Sequence, residues 1–309
     1  MNLKIGIFDS GIGGFTILNS LLKSRNDVEV FYLADTKRNP YGNKTFQEIR
    51  CIAEEICTFF RDKNLDALLV ACNTTNACAL DILEKNLRIP CFDLINSVSE
   101  IVTQQTIGVL ATQTTVRSSY YKNALNFKKK NLKIFQQECP EFVSEIVNKQ
   151  IIGVLATRTT VQSSYYKKAI SSKKENLKIF QQECPDFVSE IEKEKLNLDK
   201  LDHLAELYLR PILNKNIEEL ILGCSHYPLI YDFLRKKIDS NIKIIDPSEA
   251  LIKKFNEAFT IPKTDRYESI SFENVNFFVT SERDQFSKKV KYWLGINKEI
   301  RVVNLRSNV

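Results

Sequence analysis

Seven short apolar runs, each beside an amphipathic stretch of helical spacing, confine this chain to one broad architecture. The runs are LKIGIF (3–8), VEVFYLA (28–34), LDALLVA (65–71), TIGVLA (106–111), LKIFQQE (177–183), IEELILG (217–223) and IKIID (242–246). FQEIRCIAEEICTFFRDK (46–63) is the clearest of the helical partners. Continuous apolar strands alternating with helices require a parallel sheet covered on both faces, so the predicted fold class is α/β. With 309 residues, 43% of them hydrophobic, the chain is long enough for about two such domains.

Two of the runs end in the same way. LDALLVACNTTNA closes on Cys72 and EELILGCSHYPL on Cys224, and each cysteine opens a polar segment that starts a helix. Both thiols are therefore expected at the carboxyl ends of strands, where open α/β sheets bind ligands. A helix N-terminus also lowers a thiol's pKa, so both are expected to be reactive. Two such groups suit a reaction that needs two bases. Asn73, Thr74 and Thr75 follow the first, and Ser225 and His226 the second, supplying donors for a bound carboxylate. Of the two histidines, His226 is the candidate functional group and His203 is read as structural.

The other cysteines read as small buried hydrophobes. Cys51 and Cys57, like Cys72 and Cys78, lie six apart, which is not the short spacing of structural zinc sites, and Cys91 has no partner motif. No metal is expected. Eight cysteines without a framework spacing point to a reducing, cytoplasmic setting. MNLKIGIFDSG runs straight into a strand instead of a signal peptide, and no apolar stretch has the length of a membrane span. The net charge of +6 comes from lysines scattered along helices, with denser runs at Lys128–Lys130 and Lys173–Lys174. No aromatic interleaving accompanies them, so no nucleic-acid partner is inferred.

A tandem duplication interrupts the pattern. Residues 107–146 return at 152–191 with a period of 45, and only eight of the 40 aligned positions differ. Two copies are too few for a solenoid. Each reads as a βαβα unit with its own amphipathic helices, which favours both copies folding. Cys139 and Cys184 correspond across the copies and read as buried or structural.

Two more segments face the strand ends. Asp9-Ser10-Gly11-Ile12-Gly13-Gly14 allows a tight turn and close approach of a small anion to backbone N–H groups. It lacks the third glycine of a dinucleotide fingerprint, although Asp35 lies near the spacing of a ribose contact. Asn39-Pro40-Tyr41-Gly42 is a turn that could present Tyr41 and nearby amides to a ligand, or simply reverse the chain.

Taken together, Asp9-Ser10-Gly11, Pro40-Tyr41-Gly42, Cys72-Asn73-Thr74, the GVLAT segment, Cys-Pro-x-Phe-Val and Gly223-Cys224-Ser225-His226-Tyr227-Pro228 make the chain resemble the cofactor-independent glutamate racemases of bacteria. The resemblance spans nearly the whole length outside one repeat copy. It implies two doubly wound, mostly parallel domains related by pseudo-two-fold symmetry, with residues 1–98 and 246–309 in one and 99–245, including the duplication, in the other. It also implies no cofactor, a homodimer, and a D-glutamate product used in peptidoglycan synthesis. Cys72 would deprotonate D-glutamate and Cys224 L-glutamate, with Asp9 assisting the first and His226 and a glutamate the second.

That glutamate comes eight residues after the cysteine of Cys-Pro-x-Phe-Val, which selects Glu192 of the second copy over Val147 of the first. Substrate carboxylates would be held by Ser10, Pro40, Tyr41, Gly42, Asn73, Thr74 and Ser225. Hydroxyls of the Thr-rich loop would join them, either Thr157, Thr159 and Thr160 or Thr112, Thr114 and Thr115. Ser225 stands where the family usually has threonine, and Asn43 where proline or serine is common. Three alternatives stay open: a racemase of another acidic amino acid such as aspartate, a homologue disabled by the duplication and kept for binding, and a thiol hydrolase using Cys224 with His226. The last leaves Cys72 without a role.

Overall fold

Residues Ala67–Val70 are buried on both faces, the signature of a central strand between two helical layers. The computed structural model describes residues 2–101, 107–111, 114–115, 118, 153–154, 179–259 and 270–305. In chain order its strands are β1 (Leu3–Asp9), β2 (Val28–Ala34), β3 (Ala67–Val70), β4 (Cys91–Asp93), β5 (Ile107–Ala111) and β6 (Gly153–Val154). β7 (Ile179–Glu183), β8 (Glu219–Gly223), β9 (Lys243–Ile245), β10 (Val275–Val279) and β11 (Ile300–Val302) complete them. The helices are α1 (Phe15–Ser24), α2 (Phe46–Arg61), α3 (Asn73–Leu87), α4 (Leu94–Ile101) and α5 (Pro185–Ile191). α6 (Leu198–Leu213), α7 (Tyr231–Lys237), α8 (Pro247–Ala258) and α9 (Arg283–Leu294) follow.

The strands form two sheets. One is six-stranded, in the order β11-β10-β2-β1-β3-β4, and the other five-stranded, in the order β6-β7-β5-β8-β9. Every pairing among the described strands is parallel. This is the α/β class the alternation predicts. β4, β10 and β11 were not foreseen: two of them are three residues long, and none carries as extended an apolar run as the others.

Apolar clusters lie on both sides of the six-stranded sheet. Ile5 and Ile7 of β1 pack toward Phe15, Leu18 and Phe286, and that cluster continues into Leu220 and Leu222 of the second sheet and Tyr227 just beyond it. Phe8, Leu68 and Val70 face the other way, with Ile49, Ile52 and Ile56 of α2 and Leu80 and Leu83 of α3. Helix α2 forms because Ile49, Ile52, Ala53, Ile56 and Phe60 share one buried stripe, and Thr45 with Glu48 closes a capping box at its start.

The topology decides where a ligand fits. In the first sheet the chain runs outward from β1 to β2 on one side and from β3 to β4 on the other, so β1 and β3 flank the switch point. In the second, β5 and β8 occupy the equivalent places. Crevices at the carboxyl ends of such strand pairs are the binding positions of open α/β sheets.

β5 comes from the first repeat copy, whereas β6, β7 and α5 come from the second. Residues 119–152 and 155–178 lie outside the described residues, and with them the expectation that both copies fold, Cys139, Val147, and Thr157, Thr159 and Thr160. Thr112 also lies outside them. Among the described residues no helix is long and apolar enough to cross a membrane.

Candidate active site

Both thiols sit where their sequence contexts place them. Cys72 follows β3 and caps α3, and Cys224 follows β8. The second opens a short 3-10 turn, Tyr227–Ile230, before α7 begins, so only Cys72 stands directly at an α-helix N-terminus. They line one cleft together with Ser10, Asn39, Pro40, Tyr41, Gly42, Asn43, Asn73, Thr74, Val188, Ser225 and His226. The cleft is narrow, with an internal cavity of about 30 Å³.

The glycine-rich loop does hold an anion, but the anion belongs to the protein. Ile12 N–H donates to Glu192 Oε1 at 3.1 Å, and Gly11 N–H donates to Asp9 Oδ1 at 2.8 Å. The expected slot for a ligand anion is thus filled by Glu192, which follows the last turn of α5. The glycines are required by crowding. A Cβ on Gly11 would lie 1.9 Å from Glu192 Oε1, and one on Gly13 would lie 2.3 Å from Ser225 Oγ and 2.8 Å from His226 Nδ1.

A chain of charge runs behind Cys224. His226 Nδ1 is 3.9 Å from Cys224 Sγ, and its Nε2 is 2.6 Å from Glu192 Oε1. Lys289 Nζ, on α9, donates to Glu192 Oε2 at 2.6 Å. Burial alone would lower the His226 pKa, but its bonds to Cys224 and Glu192 outweigh this and hold it well above the ordinary value. Burial pushes Glu192 upward, and the bonds from His226 and Lys289 overcome it, bringing Glu192 down to about 2. On the other side Ser225 Oγ donates to Asp9 Oδ2 at 2.9 Å, and burial raises the Asp9 carboxyl despite nearby His226.

These shifts fix a pH dependence of stability. Glu192 falls from 4.5 to about 2 on folding, so its contribution, on the order of 3 kcal/mol, is whole above pH ~4.5 and is lost as pH falls toward ~2. His226 has the opposite sign: its contribution is present below its ordinary value and lost as pH rises through the raised one. Urea unfolding of wild type and Glu192→Gln at pH 6 and pH 3 checks this. The wild type should lose more stability on acidification than the variant; equal losses would count against the ion-pair network.

Cys72 departs from expectation. It is 3% exposed, and burial, reinforced by Asp9, pushes its thiol up to about 12. Nearby Thr75 and Ser10 favour the thiolate but do not offset that desolvation. The lowered pKa expected from the helix dipole is therefore overturned at this position.

The turn at residues 39–43 is held from beneath. Tyr41 is buried against Phe8 and its hydroxyl donates to Asp35 Oδ2. Asp35 also accepts from Arg38 at 2.6 Å and Thr280 at 2.7 Å, so it serves the turn and not a ribose. The Tyr41 hydroxyl is thereby committed, and the ring and backbone are what line the cleft. Pro40 stays exposed at the rim. Thr114 Oγ1 lies 2.7 and 2.9 Å from the Gly42 and Lys44 carbonyls, and Thr115 Oγ1 lies 3.3 Å from Thr74 Oγ1. Among the described threonines of the duplicated loop, those of the first copy reach the site, while Glu192 comes from the second.

Two further expectations change. Cys51 is exposed and Cys91 half-buried, whereas Cys57, Cys78 and Cys184 are buried as read. His203 is exposed on α6, with no core to support. Two residues that matter went unread: Asp35 as the anchor of the turn, and Lys289. A signal for Lys289 exists, since it falls in phase with Phe286, Val290 and Trp293 on the apolar face of α9. Among the described residues no group of three or more His, Cys, Asp or Glu is placed to hold a metal ion.

Two parallel sheets each carry a thiol beyond a strand at the switch point, and both thiols line one cleft, which places the chain in the α/β class with its candidate site at the strand ends. No family model matches the chain. It is 42% identical to the glutamate racemase of Prochlorococcus marinus (strain NATL2A), over 98% of each chain. It is 30% identical to that of Synechococcus sp. (strain CC9605), over 96% of each. The solved structure of glutamate racemase from Francisella tularensis in complex with D-glutamate superimposes with a TM-score of 0.74, at 28% identity and 99% coverage of both chains. The chain belongs to the glutamate racemase family, and is thereby an amino-acid racemase, an isomerase.

Proposed function

We propose that the protein interconverts L- and D-glutamate by passing a proton across the substrate α-carbon between Cys72 and Cys224. The observation that carries this reading is that both thiols, from different sheets, line one cleft. For L-glutamate, Cys224 as thiolate breaks the α-C–H bond and the electron pair passes into the α-carboxylate. Cys72 then donates its proton to the opposite face, and the reverse sequence serves D-glutamate. An L-to-D turnover leaves Cys224 protonated and Cys72 as thiolate, a D-to-L turnover leaves the reverse, and proton exchange with solvent resets the pair for another turnover in the same direction.

The electrostatics support these roles. Burial favours the protonated Cys72 thiol, the state that L-to-D turnover needs, and makes its reprotonation afterwards favourable. The α-ammonium of a bound amino acid brings positive charge beside Asp9 and Cys72 and eases formation of the thiolate for D-to-L turnover. His226 Nδ1 is placed to take up or return the Cys224 proton, with Glu192 fixing the ring from the far nitrogen. Ser10, Asn73 and Thr74, with the backbone of Ser225 and backbone and ring atoms of Pro40, Tyr41 and Gly42, hold the substrate carboxylates. Thr114 and Thr115 steady that turn and Thr74 from behind.

The reading extends to the whole chain as two pseudo-symmetric domains, residues 1–98 with 246–309 and residues 99–245, in a homodimer of the cytoplasm that supplies D-glutamate for peptidoglycan. The bound D-glutamate of the Francisella structure supports glutamate as the substrate. The test is incubation of purified protein with L-glutamate, and separately L-aspartate, in deuterated buffer, following optical rotation and the α-proton by NMR. Racemisation of glutamate with α-deuterium incorporation is expected. Faster turnover of aspartate, or no exchange with either from a folded protein, would sink the reading.

A further inference from the structure

The charge chain does not end at Glu192. Its second oxygen accepts from Lys289, a lysine only 9% exposed on the apolar side of α9. A buried cation of this kind persists only with a partner, and the partner here is the carboxylate that fixes His226. Glu192 has two ties on its first oxygen, from Ile12 N–H and His226, and Lys289 balances them from the opposite side. One residue earlier, Lys288 makes a bridge of similar length, 2.7 Å, to Glu194, but that pair is mostly exposed and does not touch His226. α9 is thus fastened twice to the segment after α5, and only one fastening reaches the chemistry.

From this we infer that Lys289 is a positioning residue for proton transfer at Cys224, acting through Glu192 and His226. The inference rests on the two-thiol reading. Without the ammonium, the Glu192 carboxylate is free to turn toward His226 and to draw its Nε2 proton, which shifts the imidazole that faces Cys224. The damage falls on one of the two proton-transfer steps.

Rates alone cannot show which step suffers. Because L- and D-glutamate are equally stable, kcat/KM falls by the same factor in both directions whichever thiol is harmed. Isotope effects separate the steps. With [2-²H]glutamate, slowing transfer at Cys224 raises the primary effect on kcat/KM for the enantiomer that Cys224 deprotonates. It lowers the effect toward 1 for the other enantiomer, whose deuterium leaves at Cys72.

Lys289→Met is expected to cut kcat roughly 10- to 100-fold, with KM within a factor of about three. Its two isotope effects should move in opposite directions, and Lys289→Arg should restore both. Lys288→Met, which removes the exposed fastening, should match the wild type. Lys289→Gln is read in the same way should the methionine variant not fold. Isotope effects that stay at wild-type values, or that move together, overturn the inference, as does an equal effect of Lys288→Met. A folded wild type that fails to racemise glutamate overturns instead the functional reading beneath it.

Discussion

Racemisation should fall by roughly 10³-fold or more when either Cys72 or Cys224 is replaced by serine, since an alcohol is a far weaker acid than a thiol and removes one partner of the transfer. The two variants should nevertheless differ in solvent exchange. Cys72→Ser keeps the Cys224 side, so L-glutamate should still trade its α-proton for deuterium without inverting. Cys224→Ser should exchange D-glutamate alone. NMR of the α-proton in deuterated buffer, starting from each enantiomer, reads both outcomes. Exchange confined to the opposite enantiomers would reverse the assignment of thiols to faces, and near-normal racemisation by either variant would end the two-thiol account. The serines are nearly isosteric, and both sites are buried, so thermal unfolding should show the variants folded.

Gly13→Ala should be almost as damaging without touching a reacting atom. Its new methyl would sit 2.3 Å from Ser225 Oγ, 2.7 Å from Ser225 Cβ and 2.8 Å from His226 Nδ1, distances that force the chain after Cys224 to move. Displacement of a reacting constellation by even an ångström costs about 10²-fold in rate, and overpacking a close contact costs about 1–3 kcal/mol of stability. Gly295→Ala provides the contrast. Gly295 has φ +71 at the end of α9 and nothing within 4 Å of a built Cβ. There the substitution should lower stability by about 1 kcal/mol through its left-handed backbone and leave kcat/KM unchanged. Urea midpoints and steady-state kinetics on both variants test the pair. A Gly13→Ala enzyme with normal kcat/KM would show that the loop is slack, contrary to its packing.

The features legible in the amino-acid sequence are those encoded locally. LDALLVACNTT and EELILGCSH each carry a strand, a stop and a thiol within about a dozen residues, so both thiols and their strand ends could be placed. β10 and β11 could not. Val275–Val279 owes its place beside β2 to pairings with residues some 245 positions away, and nothing near it announces them. Glycine loop and thiol pKa failed for a related reason. Gly11 and Gly13 look like a ligand cradle until Glu192, from the second repeat copy, is seen occupying it. Cys72 looks activated by its helix until full burial beside Asp9 is counted, and burial is a property of the whole fold. Lys289 is the intermediate case, in phase with an apolar face but surrounded by Lys288 and Lys291, which makes it one lysine among several.

The wide separation of β10 from β2 has a consequence in time. A ribosome adds about 5–20 residues per second, so roughly ten to forty seconds separate the emergence of β4 from that of β10. Throughout that interval β2, with Tyr32 and Leu33 awaiting their cover, presents an open backbone edge on the nascent chain. Thr280 and Lys289 emerge after both cysteines. Slower elongation past β9 lengthens the time for which that edge stays open to pairing with another chain.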